Sequence, residues 1–429
     1  MIDAEILPIT AELLLCEESE VREQAAKLLG SFALNAIGRQ FFEYAFTNMK
    51  KLLEDEVLAV REATAWAFKQ LTVNADGCRR LVEADCPLAM IESFIKHSSE
   101  DSLKKEDAQY LVYLLEGFVN LTFSDIGIEP LLGKGAIEQF TRILEPHYCA
   151  MEILEERHNK IAELCLRVLG NMSINHTGKD ECIEHRVIER SYVYLIAGEG
   201  RSYEDALNTS LILMSCSIHL EGKNQIVNQV DSDGNPLILQ AVIKRLQSIA
   251  NPPLRYNLKV VLTNVAELPR GFSDITMELV DKIEILDEVF GARSVKPLHQ
   301  FLPKLTDYDH DLQTDADAIS RGIEVIKALA VLFKKYQQEA ANVAKFETIN
   351  FAEKLAPFIN PDYDVQKEVF ACLYEILPID AYNCHILHKF LEDFGDVPLG
   401  PMKGTTIKKV ISQEYNEILE LTVNAHILQ

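Results

Sequence analysis

Leu169-Gly-Asn-Met-Ser-Ile-Asn-His-Thr-Gly178 closes an apolar stretch with a polar residue, Asn171, set seven places before a glycine. The same pairing recurs at Ser31/Gly38, Gln70/Gly77, Asn120/Gly127, Ser215/Gly222 and Asn264/Gly271. Successive glycines stand 39, 50, 51, 44 and 49 residues apart. A unit of roughly 40 to 50 residues marks a solenoid, in which each unit buries its apolar face against its neighbours. Such a stack offers a long surface to other molecules rather than an enclosed catalytic pocket.

Counting back 17, 13, 10, 9 and 6 residues from each glycine tests the register. Around Gly178 this gives Ile161, Cys165, Val168, Leu169 and Met172; around Gly77 it gives Val60, Thr64, Ala67, Phe68 and Leu71. Over six units 26 of these 30 positions are apolar, the exceptions being Thr64, Gly117, Asp205 and Thr209, in a chain that is 48% hydrophobic overall. Offsets of 0, 4, 7, 8 and 11 trace one face of an α-helix. Each unit therefore holds a long helix with a buried stripe, and the polar residue before the glycine lies off that stripe. Two weaker units follow without the glycine, at Gly322, Ile326, Leu329, Ala330 and Phe333 and at Val365, Val369, Cys372, Leu373 and Ile376. About eight units result, with the last two degenerate as terminal caps often are.

Within a unit the pattern is a short helical piece, a second helix and the long third helix. In the second unit Gly77 opens a piece over 78–84, Pro87 starts a helix through about Lys96, and 104–123 is the next long helix. The glycine reads as a helix C-cap in left-handed conformation, and Pro87 and Pro236 suit the first turn of a second helix. Residues 97–106 and 145–158 lengthen two loops. Residues 281–318 form the largest break, with Gly291, Pro297, Pro303 and the acidic run 307–317, read as a connector or a partner-binding insertion. The solenoid is expected over 1–395. Pro398, Gly400, Pro401 and Gly404 then mark a loop before a capping helix at 405–425, within a C-terminal segment 396–429.

With 42 Lys+Arg against 66 Asp+Glu, the net charge is −24. Such a chain is a poor candidate for nonspecific nucleic-acid or anionic-membrane binding, which needs basic patches; the charge reads first as a device for solubility and second as suited to basic partners. Its nine cysteines have no C-x-x-C pair, and Cys165, Cys216 and Cys372 fall on the stripe. Reduced thiols in the cytoplasm are expected. Asp3 and Glu5 break any signal-peptide pattern, and no apolar run approaches the length of a membrane span.

Catalytic chemistry is sparse, and no enzyme, metal or cofactor is expected. Asp231-Ser-Asp-Gly-Asn235 opens like a calcium loop, but Pro236 and Val242 stand where glycine and a bidentate glutamate belong. Gly127 to Gly133-Lys134 has five intervening residues where a phosphate loop has four, and Gly135 replaces the metal-binding hydroxyl. Both read as turns. Cys384, His385 and His388 cluster without further ligands, and no G-x-S-x-G elbow occurs. Asn120, Asn171, Asn175 and Asn208 open N-x-S/T patterns on or beside packed helices, which argues against glycosylation. The single tryptophan, Trp66, shares a helix face with Gln70, and reads as a packing residue or an aromatic anchor.

Leu169-Gly-Asn-Met-Ser173, Leu262-Thr-Asn-Val-Ala266 and Phe118-Val-Asn-Leu-Thr122 resemble the third helix of armadillo repeats. That resemblance implies an all-α, right-handed armadillo superhelical solenoid. Its third helices would line a concave groove whose aligned polar residues hold the backbone of an extended peptide. The matching positions are Ser31, Gln70, Asn120, Asn171, Ser215 and Asn264, with Trp66 four residues before Gln70. A carboxamide both donates and accepts, so a row of them suits an extended chain; alternatively these residues tie down their own helix ends. Import receptors of this fold carry a tryptophan four residues before each asparagine, and only Trp66 matches here, so classical import-signal binding is not expected. Val60-Arg-Glu-Ala-Thr-Ala-Trp-Ala-Phe68, Gly77-Cys-Arg-Arg-Leu-Val-Glu-Ala-Asp85 and Glu92-Ser-Phe-Ile95 further resemble the armadillo proteins of ciliary radial spokes. The resemblance implies a noncatalytic scaffold with protein partners, among them axonemal or radial-spoke subunits. The alternative is a cytosolic adaptor like a transport receptor or an Hsp70 cofactor. No nucleic acid, membrane or small-molecule substrate is implied.

Overall fold

The structure, a computed structural model, describes residues 6–40, 42–98, 108–144, 156–196 and 202–279, together with 282, 285 and 289. The two weaker units, most of the 281–318 connector, the C-terminal segment 396–429 and the Cys384/His385/His388 cluster lie outside the described residues, as do most of the two lengthened loops. The chain divides into two compact units, residues 1–229 with 249–257, and residues 230–248 with 258–429.

Every regular element among the described residues is helical. The long helices are α2 (Ser19–Ala33), α5 (Leu58–Thr72), α8 (Ala108–Leu121), α11 (Glu156–Ile174), α14 (Tyr203–Cys216) and α17 (Pro252–Val265). Between them lie short first helices: α3 (Ala36–Gln40), α6 (Ala75–Glu83), α9 (Asp125–Ile128), α12 (His176–Glu184) and α15 (Leu220–Asn228). Second helices follow: α4 (Phe46–Leu52), α7 (Cys86–His97), α10 (Ala136–Ile143), α13 (Val187–Ser191) and α16 (Leu237–Ser248). A leading helix α1 (Ile6–Leu13) precedes α2, and α18 (Pro269–Leu279) follows α17. In the first unit the most extensive packing runs from α2 to α5, α8, α11 and α14 in turn. In the second, α16 packs on α18.

Of the 30 stripe positions, all but Val21, Leu28 and Phe32 are buried. The three exceptions belong to α2, the first long helix. The four that are not apolar have local reasons. Buried Asp205 closes a capping box with Ser202, each side chain bonding the other's backbone N–H at 2.8 and 3.1 Å. Thr64 and Thr209 bond the carbonyls of Val60 and Ser191, and Gly117 lies under the methyl of Met90. Phe94, Phe118 and Phe140, from α7, α8 and α10, form a triangle of tilted and edge-on rings with centroids 5.3 to 6.0 Å apart. That triangle joins one repeat to the next by the geometry aromatic rings favour.

The marker glycines need correction. None is a left-handed C-cap: among the described glycines positive φ occurs only at Gly133, Gly135 and Gly234. Each marker sits inside a first helix, or in α18, whose backbone runs against the end of the preceding long helix. A Cβ on Gly38, Gly77, Gly127, Gly178, Gly222 or Gly271 would lie 1.9 to 2.4 Å from a carbonyl oxygen. That oxygen always belongs to the stripe residue six places earlier: Phe32, Leu71, Leu121, Met172, Cys216 or Val265. Close approach, not backbone handedness, excludes a side chain there. α6 begins at Ala75, before Gly77 rather than after it. The left-handed residue comes later, at Asp85, Gly135 and Arg186, each preceding a second helix. α7 begins at Cys86 with Pro87 in its first turn, as expected.

At the other end of the long helices a different device appears. Arg22, Arg61 and Arg255, each sixteen residues before its glycine, donate from Nη1 to the carbonyls of Cys16, Asp55 and Ile249 at 2.8 to 2.9 Å. Each thereby fastens the short turn leading into its helix. α8, α11 and α14 carry Leu111, Ala162 and Ala206 at that position.

Candidate functional site

One face of each long helix presents the residues eleven, seven and four places before the glycine, a spacing that keeps them together on a helix. In the first unit the middle row is Ser31, Gln70, Asn120, Asn171 and Ser215. Gln70, Asn120 and Asn171 are half-buried, Ser31 is exposed, and Ser215 is buried, so the polar row is interrupted there. Asn264 holds the same place in its own unit, half-buried on α17.

The two asparagines do not fasten their own helices. Asn120 Nδ2 donates to Thr72 Oγ1 at 3.1 Å. Asn171 Nδ2 donates to Thr122 Oγ1 at 3.1 Å and to the Val119 carbonyl at 3.3 Å. Each amide thus links its helix to the end of the preceding one. Thr122, the hydroxyl of the Asn120 N-x-T pattern, receives Asn171, and Thr72, two places after Gln70, receives Asn120. Helix-end capping is left to the next polar residues, with Asn175 Oδ1 accepting from the Gly178 N–H at 3.1 Å and Asn35 Oδ1 from Ile37 at 2.9 Å. An asparagine held by its amide nitrogen turns its oxygen the other way, where it remains an acceptor.

Trp66, in the outer row, is half-buried, and its ring lies on α2. A Cβ on Gly30 would fall 2.4 Å from Trp66 Cζ3, so the glycine makes room for the indole. Elsewhere that row is charged or aliphatic: Lys27, Glu116, Arg167 and Leu211. Glu116 accepts from Lys69 at 2.6 Å, and the same ammonium stands 5.4 Å above the Tyr113 ring. At the helix entrance Arg22 meets both oxygens of Asp55 at 2.8 and 3.0 Å. Burial pushes the Asp55 carboxyl up, but bonds from Arg22 and the Val57 N–H, with the charges of Arg22 and Arg61, leave it below the usual carboxylate range.

The third row escaped the sequence reading. Four places before the glycine stand Leu34, Val73, Phe123, Ile174 and Ile218, all exposed. The signal was present as an unbroken apolar column, but it falls at or just past the helix ends, outside the buried stripe.

The two turns singled out in the sequence serve their own backbones. Asp231 accepts from the Asp233 and Asn235 N–H groups at 2.9 Å and from Asn235 Nδ2 at 3.0 Å, so its oxygens serve its own turn. Gly133 and Gly135 form the second turn. Among the described residues no group of three His, Cys, Asp or Glu is set to hold a metal ion, and no helix is long and apolar enough to cross a membrane. Burial pushes the Cys86 and Cys216 thiols up to about 12, far from a reactive thiolate. Cys372 lies outside the described residues.

No protein-family model matches the chain, and no curated protein does. Among solved structures it is similar to an engineered protein at 16% identity and a TM-score of 0.51, over 96% of this chain and 98% of that one. It is also similar to a computationally designed armadillo repeat protein for modular peptide recognition, at 18% identity and a TM-score of 0.47, over 60% of this chain and 99% of that one. A designed armadillo repeat protein in complex with the peptide (KR)4 gives the same four values. Likeness at this identity speaks to fold alone. The three-helix repeats make the described residues an all-α solenoid.

Proposed function

We propose that the protein is a noncatalytic scaffold that binds segments of other proteins along the shared face of its long helices. One observation carries this reading. Asn120 and Asn171 are held by their amide nitrogens on the preceding helix, so two carboxamides a repeat apart are oriented before any partner arrives. An extended segment crossing them would donate its backbone N–H groups to the outward oxygens, at little ordering cost to the scaffold. Gln70 continues the row, Trp66 borders it, and Asn264 occupies the equivalent place in the second unit. The axonemal setting, with radial-spoke subunits as partners and the cilium as location, rests on the sequence resemblance alone. The second reading is a cytoplasmic adaptor of the transport-receptor or Hsp70-cofactor kind.

Affinity isolation from the protein's own cells, with the wild-type chain beside the Asn120→Ala/Asn171→Ala variant, tests both parts. Partners held by the wild type and lost from the variant support the groove. Recovery of spoke or microtubule-doublet proteins supports the axonemal setting; recovery of transport factors or Hsp70 supports the adaptor. Equal recovery by a folded variant contradicts the groove.

A further inference from the structure

We infer that the apolar column along the repeat edge of the first unit, Leu34, Val73, Phe123, Ile174 and Ile218, docks a basic amphipathic α-helix of a partner protein. This goes beyond the carboxamide row and does not depend on it. The five side chains are 56 to 65% exposed, and each holds the same place in successive repeats. Ile126 and Leu220, just beyond the turns, are exposed to the same degree and widen the column. Together such side chains amount to on the order of 700 Å² of apolar surface, above the ~300–600 Å² of the largest patch on a typical monomer and close to one side of a standard interface.

Spacing selects the occupant. Packed helices lie about 8–10 Å apart, so the column offers one apolar side chain at about that interval. An α-helix rises about 10.5 Å over seven residues, so one position of each heptad meets one member per repeat. Charge selects its flanks. Asp125 and Glu221 stand in the first turns of α9 and α15 beside Ile126 and Leu220. Asp180, half exposed, takes His176 and His219 at 3.3 and 3.2 Å between the last two members. A chain of net charge −24 repels a second copy of itself and attracts lysine or arginine. Arg167 lies over the Phe123 ring at 5.8 Å on the α11 side, and Asp125 also accepts from Asn175 Nδ2 at 2.8 Å.

The test uses a labelled helical peptide with leucines in a heptad seam and lysines on its flanks, titrated against the full chain by fluorescence anisotropy. The expected result is saturable, salt-sensitive binding that weakens at least about tenfold in Phe123→Ser/Ile174→Ser/Ile218→Ser, a loss of hot-spot size. The variant should melt as the wild type does, and Asn120→Ala/Asn171→Ala should bind the peptide normally. Phe123→Glu alone, made in parallel, should also weaken binding. Equal affinity for the triple variant, equal affinity for a glutamate-flanked peptide, or loss of binding on the asparagine exchange would each overturn the inference. So would unfolding of both column variants, which would make these side chains core. Concentration-dependent dimers in sedimentation, abolished by the triple exchange, would assign the column to a second copy instead.

Discussion

The two ends of the long helices are built on different rules. At the C-terminal end all six repeats use one contact, a glycine pressed against the carbonyl of the residue six places before it. At the N-terminal end only α2, α5 and α17 carry the arginine that fastens a short turn, and the others enter from differently built connections. The first contact leaves no room for any Cβ, so chemistry permits one residue. The second satisfies carbonyls at a surface where water or another loop serves as well. Repeat length therefore varies at the N-terminal end while the C-terminal end stays in register. The same register aligns the polar row and the apolar column.

The largest effect should come from filling the tight end. Gly77→Ala, whose Cβ would meet the Leu71 oxygen at 1.9 Å, should cost about 3 kcal/mol or more in chemical denaturation. A melt like the wild type would mean that the two helices part without cost. Next comes the loose end. Arg22→Ala removes bonds to Asp55 and two carbonyls and should cost about 2 kcal/mol. This loss is pH-dependent in a fixed direction. Asp55 titrates below its ordinary value of 3.8 in the folded chain, so its contribution is present above that value and disappears as pH falls through the lowered one. Melting of wild type and Arg22→Ala should converge in strong acid, and a constant gap would remove Asp55 from the account.

Smaller still is the link between repeats. Asn171→Ala and Thr122→Val each break the same bond and should each cost about 1 kcal/mol, with the double exchange costing little more than either. Full additivity in that cycle would show that the two side chains do not act as a pair. The asparagine exchange should weaken binding of an extended partner most, and Thr122→Val less, since it removes one of the two contacts that orient the carboxamide and leaves the Val119 carbonyl.

Much of the fold was legible because its constraints are periodic and strict. A stripe of five apolar places per unit survives any choice among Leu, Val, Ile or Phe, and the glycines mark its end. Their cause was not legible: sequence shows that Gly127 lacks a side chain, but not whether φ or the Leu121 oxygen forbids one. The polar row was visible as positions, yet Ser215 proved buried, and Asn171 reaches a hydroxyl 49 residues away. Sequence patterns do not carry such distances. The Arg22/Arg61/Arg255 fastening and the exposed column at Phe123 and Ile174 were both periodic. They were missed because one falls between stripe places and the other beyond them.

The central claim is that these glycines are contact glycines, and one matched series tests it most directly. Alanine would replace each of the six markers in turn, and also Gly170, which lies within α11 with no atom closer than 3.5 Å to its Cβ place. Thermal and denaturant unfolding should show every marker exchange destabilising, and Gly170→Ala stabilising by about 0.5–1 kcal/mol as helix propensity dictates. Marker exchanges that leave stability unchanged or raise it, as at Gly170, would contradict the account.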